Sequence, residues 1–123
     1  MKIAVGSDEV YDFHQIILKN LESRGHEVKL FGALKTLKEA SWVETGVQVA
    51  RAANKIQGIR AALCIDSETA KGARLWNSTN VLALSNRLLS PALAKEILNA
   101  WFSTTIDTKS IEELNLLVKI ENN

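Results

Sequence analysis

One cysteine, one proline and two histidines are all that 123 residues contain of those three types. A single thiol, Cys64, excludes an internal disulfide and fits a reducing, cytoplasmic setting. No group of Cys, His, Asp or Glu has ligand spacing, so no metal is expected. The net charge of +1 is too small a field to favour nucleic acid or an anionic membrane. No apolar run is long enough to cross a bilayer. The start, MKIAVGSDEV, meets an acidic residue too early for a signal peptide. Gly6-Ser7-Asp8 lacks the G-x-G-x-x-G spacing of a dinucleotide loop, and no cofactor is expected. Repeats, low-complexity stretches and linkers are also missing, which leads to one domain over residues 1–123.

What is present has a globular balance, with 46% hydrophobic and 24% charged residues. Lys2–Gly6 reads as a buried strand stopped by glycine. Ser7 and Asp8 follow as candidate caps. Phe13, Ile16, Ile17 and Leu21 share one helical face, and Gly25 ends that helix. Glu27–Phe31 reads as a second strand, closed by Gly32. This opening β-α-β unit argues for parallel strands with helices between them. Further on, Arg60–Ile65 is a strand, Asp66 or Ser67 caps a helix over Glu68–Leu75, and Asn80–Leu84 is a strand of the buried type. The only proline follows Ser90, an N-cap followed by proline at the first helical position, and that helix runs to about Phe102. In the tail, Ser110 and Glu113 form a capping-box pattern, and Ile111, Leu114, Leu117 and Val118 give an apolar face.

Leu34–Lys55 has two readings. One is a short helix, a strand at Ala40–Val43 and a helix from Gly46 to Lys55. The other is one long helix with Gly46 inside it, at a cost of about 1 kcal/mol. The fold class is α/β with a parallel sheet of four or five strands, depending on that choice.

Three stretches carry a resemblance. They are KIAVGSD at the N-terminus, the run Ala53-Asn54-Lys55-Ile56-Gln57-Gly58-Ile59-Arg60-Ala61-Ala62-Leu63-Cys64, and Asn80-Val81-Leu82-Ala83-Leu84 with Pro91-Ala92-Leu93-Ala94. They resemble the S-D-H-A-G loop, the A-N-K-x-x-G-I-R-A-A-L run and the N-V-L-A-L…P-x-L-A segment of the ribose-5-phosphate isomerase B / galactose-6-phosphate isomerase (LacA/LacB) family. The resemblance implies a three-layer α/β/α Rossmann-like domain, a homodimer or homotetramer with sites built from two chains, and aldose–ketose isomerisation of phosphorylated sugars. LacA/LacB pairing also implies that a member can work beside an intact one in a mixed oligomer.

That reaction needs a titratable group within reach of the transferred proton. In the family the base is the cysteine of C-G-T-G-x-G, a motif that falls on Val43-Glu44-Thr45-Gly46-Val47-Gln48. Val43 has no proton to exchange. Glu44 and Gln48 replace glycines that let backbone approach a substrate. The ring-opening histidine of H-N-x-x-N becomes Trp76 in Trp76-Asn77-Ser78-Thr79-Asn80, and the histidine of S-D-H-A-G becomes Glu9, a carboxylate that repels phosphate. The family's R-H-x-x-R region falls on Ser110–Glu113, which has neither residue. The chain is also shorter than the family pattern between strands two and three. Asp8, Thr45, Gly46 and Asn77 remain as matches, so with Glu9 the candidate substrate contacts are Asp8, Glu9, Thr45, Gly46 and Asn77.

Bland readings stand beside these. Cys64 reads as a buried structural thiol. His14 and His26 read as solvated surface residues, and Arg60, Arg74 and Arg87 as solvated or paired. Asp8 reads mainly as a helix cap. Trp76 either fills the vacated site or stacks on a sugar. Three functional readings follow. They are a sugar-phosphate isomerase-like protein without independent catalysis, an active isomerase using Asp8, Glu9 or Glu44 as a carboxylate base, and a remnant that folds poorly.

Overall fold

The computed structural model describes residues 2–41, 44–45 and 60–122. The chain forms two compact units, Met1–Lys55 and Ile56–Asn123, each with its own strand pair and helices.

The first unit opens with β1, Lys2–Ser7, then α1, Asp12–Ser23, and β2, Glu27–Gly32. β1 and β2 are parallel, with Lys2 opposite Glu27 and Ser7 opposite Gly32. The β-α-β reading is therefore correct. The strands are not buried on both faces. Ile3, Val5 and Ser7 are covered, whereas Ala4 and Gly6 are exposed. This is the alternation of a sheet packed on one side.

α1 buries Phe13, Ile17 and Leu21, as its apolar spacing predicts. Its start corrects the sequence reading. β1 extends through Ser7, whose backbone is held in the ladder with Gly32, so the helix cannot begin at Asp8. Asp8 is no cap. Tyr11 is the N-cap residue, and its N–H donates to His14 Nδ1 at 3.0 Å. His14 is thus not a solvated residue but 5% exposed, with its ring edge-on to Phe13. An accepting Nδ1 places the imidazole proton on Nε2. Gly25 follows the helix at φ 78°, the left-handed conformation of a C-terminal stop.

After β2 comes one helical turn, α2, Ala33–Thr36. Leu37 ends it in the left-handed region at φ 58°, which rules out one continuous helix from Leu34. Ala40 and Ser41 are neither strand nor helix, so the expected strand does not begin at Ala40. Glu44 and Thr45 are helical. Thr45 N–H donates to the Ser41 carbonyl at 2.9 Å, and Glu44 N–H donates to Ser41 Oγ at 3.3 Å. Val43, Gly46 and the helix expected from Gly46 to Lys55 lie outside the described residues.

The second unit contains β3, Ala61–Leu63; α3, Ser67–Asn77; β4, Val81–Ala83; α4, Pro91–Ser103; and α5, Thr108–Glu121. β3 and β4 are parallel, with Ala62 opposite Leu82. Both are shorter than expected. β4 is only half-buried rather than enclosed, because Ala62 and Leu82 face the core while Ala61, Leu63 and Ala83 are exposed. The core is Cys64, Ala70, Ala73, Ile97 and Trp101. Ile97 is 0% exposed, a burial worth about 2–3 kcal/mol.

Two caps follow the sequence. Asp66 accepts from Thr69 N–H at 2.7 Å, and Ser90 accepts from Leu93 N–H at 3.1 Å ahead of Pro91. The third differs. Asp107, not Ser110, is the N-cap of α5, and it accepts from Ser110 N–H at 2.8 Å. Asp caps at least as well as Ser, and Asp107 N–H is already fixed to the Leu75 carbonyl at 3.1 Å. The apolar stripe of α5 is only partly covered, since Ile111 and Val118 remain exposed. No helix among the described residues is long and apolar enough to cross a membrane.

Candidate functional site

In the first unit, three segments converge beside the C-terminal end of β2. They are the end of that strand, the turn α2 and the turn carrying Thr45. Between them lies a cleft of about 420 Å³ lined by Phe31, Gly32, Lys35, Thr36, Ala40, Glu44 and Thr45. Gly32 makes this convergence possible. At φ 60° and ψ −139° its backbone suits glycine alone. A Cβ there would lie 2.4 Å from the Ser7 carbonyl oxygen and 2.6 Å from Thr45 Oγ1.

Thr45 is 5% exposed, and its Oγ1 has no hydrogen-bond partner among the described residues. An unmet buried hydroxyl costs about 1–3 kcal/mol. The rim carries both signs, Lys35 and Glu44.

Of the residues singled out from sequence, Thr45 and Glu44 line this cleft. Asp8 stands at its margin, where its carbonyl accepts from Ala40 N–H at 2.9 Å. Glu9 does not line the cleft, and its carboxylate is engaged by the Tyr11 hydroxyl. Val43 and Gly46 lie outside the described residues. Gly32, Lys35 and Thr36 were missed. Gly32, the last residue of β2, is visible in the sequence only as a strand stop.

Trp76 and Asn77 belong to the second unit, on the last turn of α3. Trp76 is 61% exposed, so it does not fill a closed site. Arg60 and Arg74 are structural rather than free. Arg60 Nε donates to the Asn77 carbonyl at 3.0 Å, and its Nη2 donates to the Ser78 carbonyl at 3.1 Å. Arg74 Nη1 donates to the Thr79 carbonyl at 2.7 Å, and its guanidinium lies 5.3 Å from the Trp101 ring centroid. Arg87 is exposed.

Cys64 is 1% exposed, and burial, helped by the charge of Asp66, pushes its thiol above the ordinary range. It is a core residue without nucleophile character. His26 is half-buried rather than fully solvated. Desolvation, the positive N-terminus and Arg24 hold it below the usual imidazole range. Among the described residues no three His, Cys, Asp or Glu side chains are placed to hold a metal ion.

Residues 41–116 match the family model described as Ribose/Galactose Isomerase. The chain is similar to the galactose-6-phosphate isomerase subunit LacB of Clostridium acetobutylicum, at 30% identity, covering 93% of this chain and 79% of that protein. That alignment runs over 137 positions, more than the 123 residues present here, so the relative carries segments without a counterpart. A sugar phosphate isomerase-like protein of Bacillus subtilis, YwlF, is 45% identical over 49% of this chain, and the chain spans only 40% of its length. Among solved structures, ribose-5-phosphate isomerase B of Clostridium thermocellum aligns with a TM-score of 0.78 and 28% identity, covering 99% of this chain and 98% of that one.

Proposed function

The chain belongs to the ribose/galactose isomerase family, a family of sugar-phosphate isomerases, and from that premise we propose that it binds a sugar phosphate without isomerising it on its own. One observation carries the reading. The segment Val43-Glu44-Thr45-Gly46-Val47-Gln48 puts an aliphatic side chain where the family's C-G-T-G-x-G motif has its base. Proton transfer between adjacent sugar carbons needs an ionisable group at that point. Trp76, at the position of the ring-opening histidine, offers only an indole N–H that donates and does not titrate.

Binding groups survive this loss. Thr45 brings to a cleft with Lys35 on its rim a hydroxyl that has no partner among the described residues. Asp8, at the margin of that cleft, and Gly46 are the further contacts proposed within the first unit; Glu9, whose carboxylate is engaged by the Tyr11 hydroxyl, is left out, and Asn77 stays a separate candidate on the second unit. A single domain, a cytoplasmic setting and a homodimer or homotetramer complete it, with a mixed oligomer beside an intact family member as the arrangement that would restore turnover.

The test is an isomerase assay on the purified chain with ribose 5-phosphate and galactose 6-phosphate, at enzyme levels comparable to substrate, beside calorimetry of the same sugars. Binding without turnover is the expected result. Rapid turnover by the isolated chain would overturn the reading. Weak turnover in the double variant Val43→Cys, Trp76→His is also expected.

A second reading, an active isomerase with a carboxylate base, is favoured by Glu44, whose side chain lines the cleft. It requires turnover with an acidic limb in the pH–rate profile that Glu44→Gln abolishes.

A further inference from the structure

We propose that the cleft of the first unit selects a zwitterionic ligand, a sugar phosphate that also carries a protonated amine. The proposal rests on the sugar-phosphate reading above and deepens it by naming the ligand class and the residue, Glu44, that chooses it. Every residue it uses lies between Phe31 and Thr45, within one unit.

Two opposite charges share this cleft without meeting. Lys35, on the α2 turn, and Glu44, beside Thr45, both line the 420 Å³ volume, a size that takes a small ligand. Among the described residues no ion pair joins them. The backbone holds them on separate segments. Leu37 ends α2 in the left-handed conformation, and Ala40 N–H is then tied to the Asp8 carbonyl at 2.9 Å before the chain reaches Glu44. Thr45 is a second, independent sign of a ligand. It is 5% exposed, and its hydroxyl has no partner among the described residues. A buried hydroxyl left unmet is costly and marks a place for a polar ligand group. Thr36 gives no such sign, because its hydroxyl is turned to the Gly32 and Lys38 carbonyls.

The ligand class follows from the two charges. The Lys35 ammonium is a compact point charge with three donors, which suits a phosphate. The Glu44 carboxylate only accepts. It repels a phosphate, and so fixes which end of the ligand lies at Lys35. At its own end it asks for a donor. A sugar hydroxyl is a neutral donor, whereas an ammonium adds charge to the hydrogen bond and strengthens it. An ordinary sugar phosphate answers one of the two charges, and an amino sugar phosphate answers both. Lys35 and Glu44 are exposed, so the gain is modest and sensitive to salt. The family's C-G-T-G-x-G motif has glycine where Glu44 stands, so this preference belongs to the present chain.

The experiment is calorimetric titration of the whole chain with glucosamine 6-phosphate, glucose 6-phosphate and N-acetylglucosamine 6-phosphate, in mildly acidic buffer of low salt. The first carries an ammonium where the second has a hydroxyl and the third a neutral amide. The wild-type chain should bind the first about threefold to fivefold more tightly than the other two. Salt at about 0.5 M should remove most of that preference. Glu44→Gln should abolish the preference without weakening glucose 6-phosphate. Lys35→Met should weaken all three probes and keep the preference. Lys38→Gln, at an exposed lysine outside the lining, should change neither. All three side chains are exposed, and unchanged thermal midpoints show that the fold is intact. Equal affinity of the wild type for the three probes, or a preference that survives Glu44→Gln, overturns the zwitterion proposal and leaves the sugar-phosphate reading standing. Binding of ribose 5-phosphate but of none of the three does the same. A loss in Lys38→Gln as large as that in Lys35→Met also overturns it, since the attraction would then be diffuse charge. If neither the three probes nor ribose 5-phosphate bind at millimolar concentration, both readings fail.

Discussion

Gly32→Ala separates two effects that a glycine can have, and its size can be worked from the structure. Gly25 is the control. Both have positive φ, 78° at Gly25 and 60° at Gly32. Alanine in the left-handed region costs about 1–2 kcal/mol, partly offset by about 0.4–1 kcal/mol from the stiffer unfolded chain. Gly25 has nothing within 4 Å of an added Cβ, so Gly25→Ala should cost about 0.5–1 kcal/mol. Gly32 pairs its φ with ψ −139°, a glycine-only region whose strain costs about 1–3 kcal/mol. Its Cβ would also meet the Ser7 carbonyl oxygen at 2.4 Å and Thr45 Cγ2 at 2.7 Å. Relieving such overlap costs a further 1–3 kcal/mol or so. Gly32→Ala should therefore cost about 3–5 kcal/mol, roughly 3 more than the control. Urea titrations of both variants, fitted with a common slope, measure the difference. Because Gly32 also shapes the cleft, sugar-phosphate binding should weaken in Gly32→Ala and be unchanged in Gly25→Ala. Equal destabilisation of the two variants, within about 1 kcal/mol, would refute the close approach of β1, β2 and the Thr45 turn.

Ile97→Ala should cost about 2–5 kcal/mol and Ile97→Val about 0.5–1.5, since Ile97 is fully enclosed in the core of the second unit; a thermal melt of each orders them. The capping carboxylates predict a pH response. The Thr69 hydroxyl and amide hold Asp66 below the usual carboxylate range, and the Ser110 amide holds Asp107 there. Each contribution is present above the unfolded-state value and is lost as pH falls through the lower folded-state value. Asp107→Asn should flatten the acid limb of stability against pH, measured by urea midpoints between neutral and strongly acidic pH. The Cys64 thiol, enclosed and shifted upward, should react with an aromatic disulfide reagent far more slowly than a free thiol in native protein and at the ordinary rate in urea.

Elements that rest on local chemistry were legible in the amino-acid order alone. Ser90-Pro91 starts a helix, Asp66 caps one, and Gly25 stops one, because each acts on backbone within three or four residues. The parallel β-α-β pattern followed from the spacing of apolar residues. The family was legible as well, since unbroken runs such as residues 53–64 do not depend on packing. The valine at residue 43 was equally plain, because residue identity requires no coordinates.

Tertiary structure decided the rest. His14 looked polar and solvated, but helix α1 begins late because β1 uses Ser7, and the imidazole then becomes buried as a cap. Asp107 took the capping role from Ser110 because its amide is tied to Leu75, a partner 32 positions away in the chain. Trp76 reads on paper mainly as apolar bulk filling a vacated site, and only the structure shows it 61% exposed and packed over Gly72. Gly32 became a site residue only when Ser7 and Thr45 were seen to press on it. Local rules act through neighbouring peptide groups and can be read in order along a chain. Burial and close approach depend on which distant segments meet, and the order of residues does not state that.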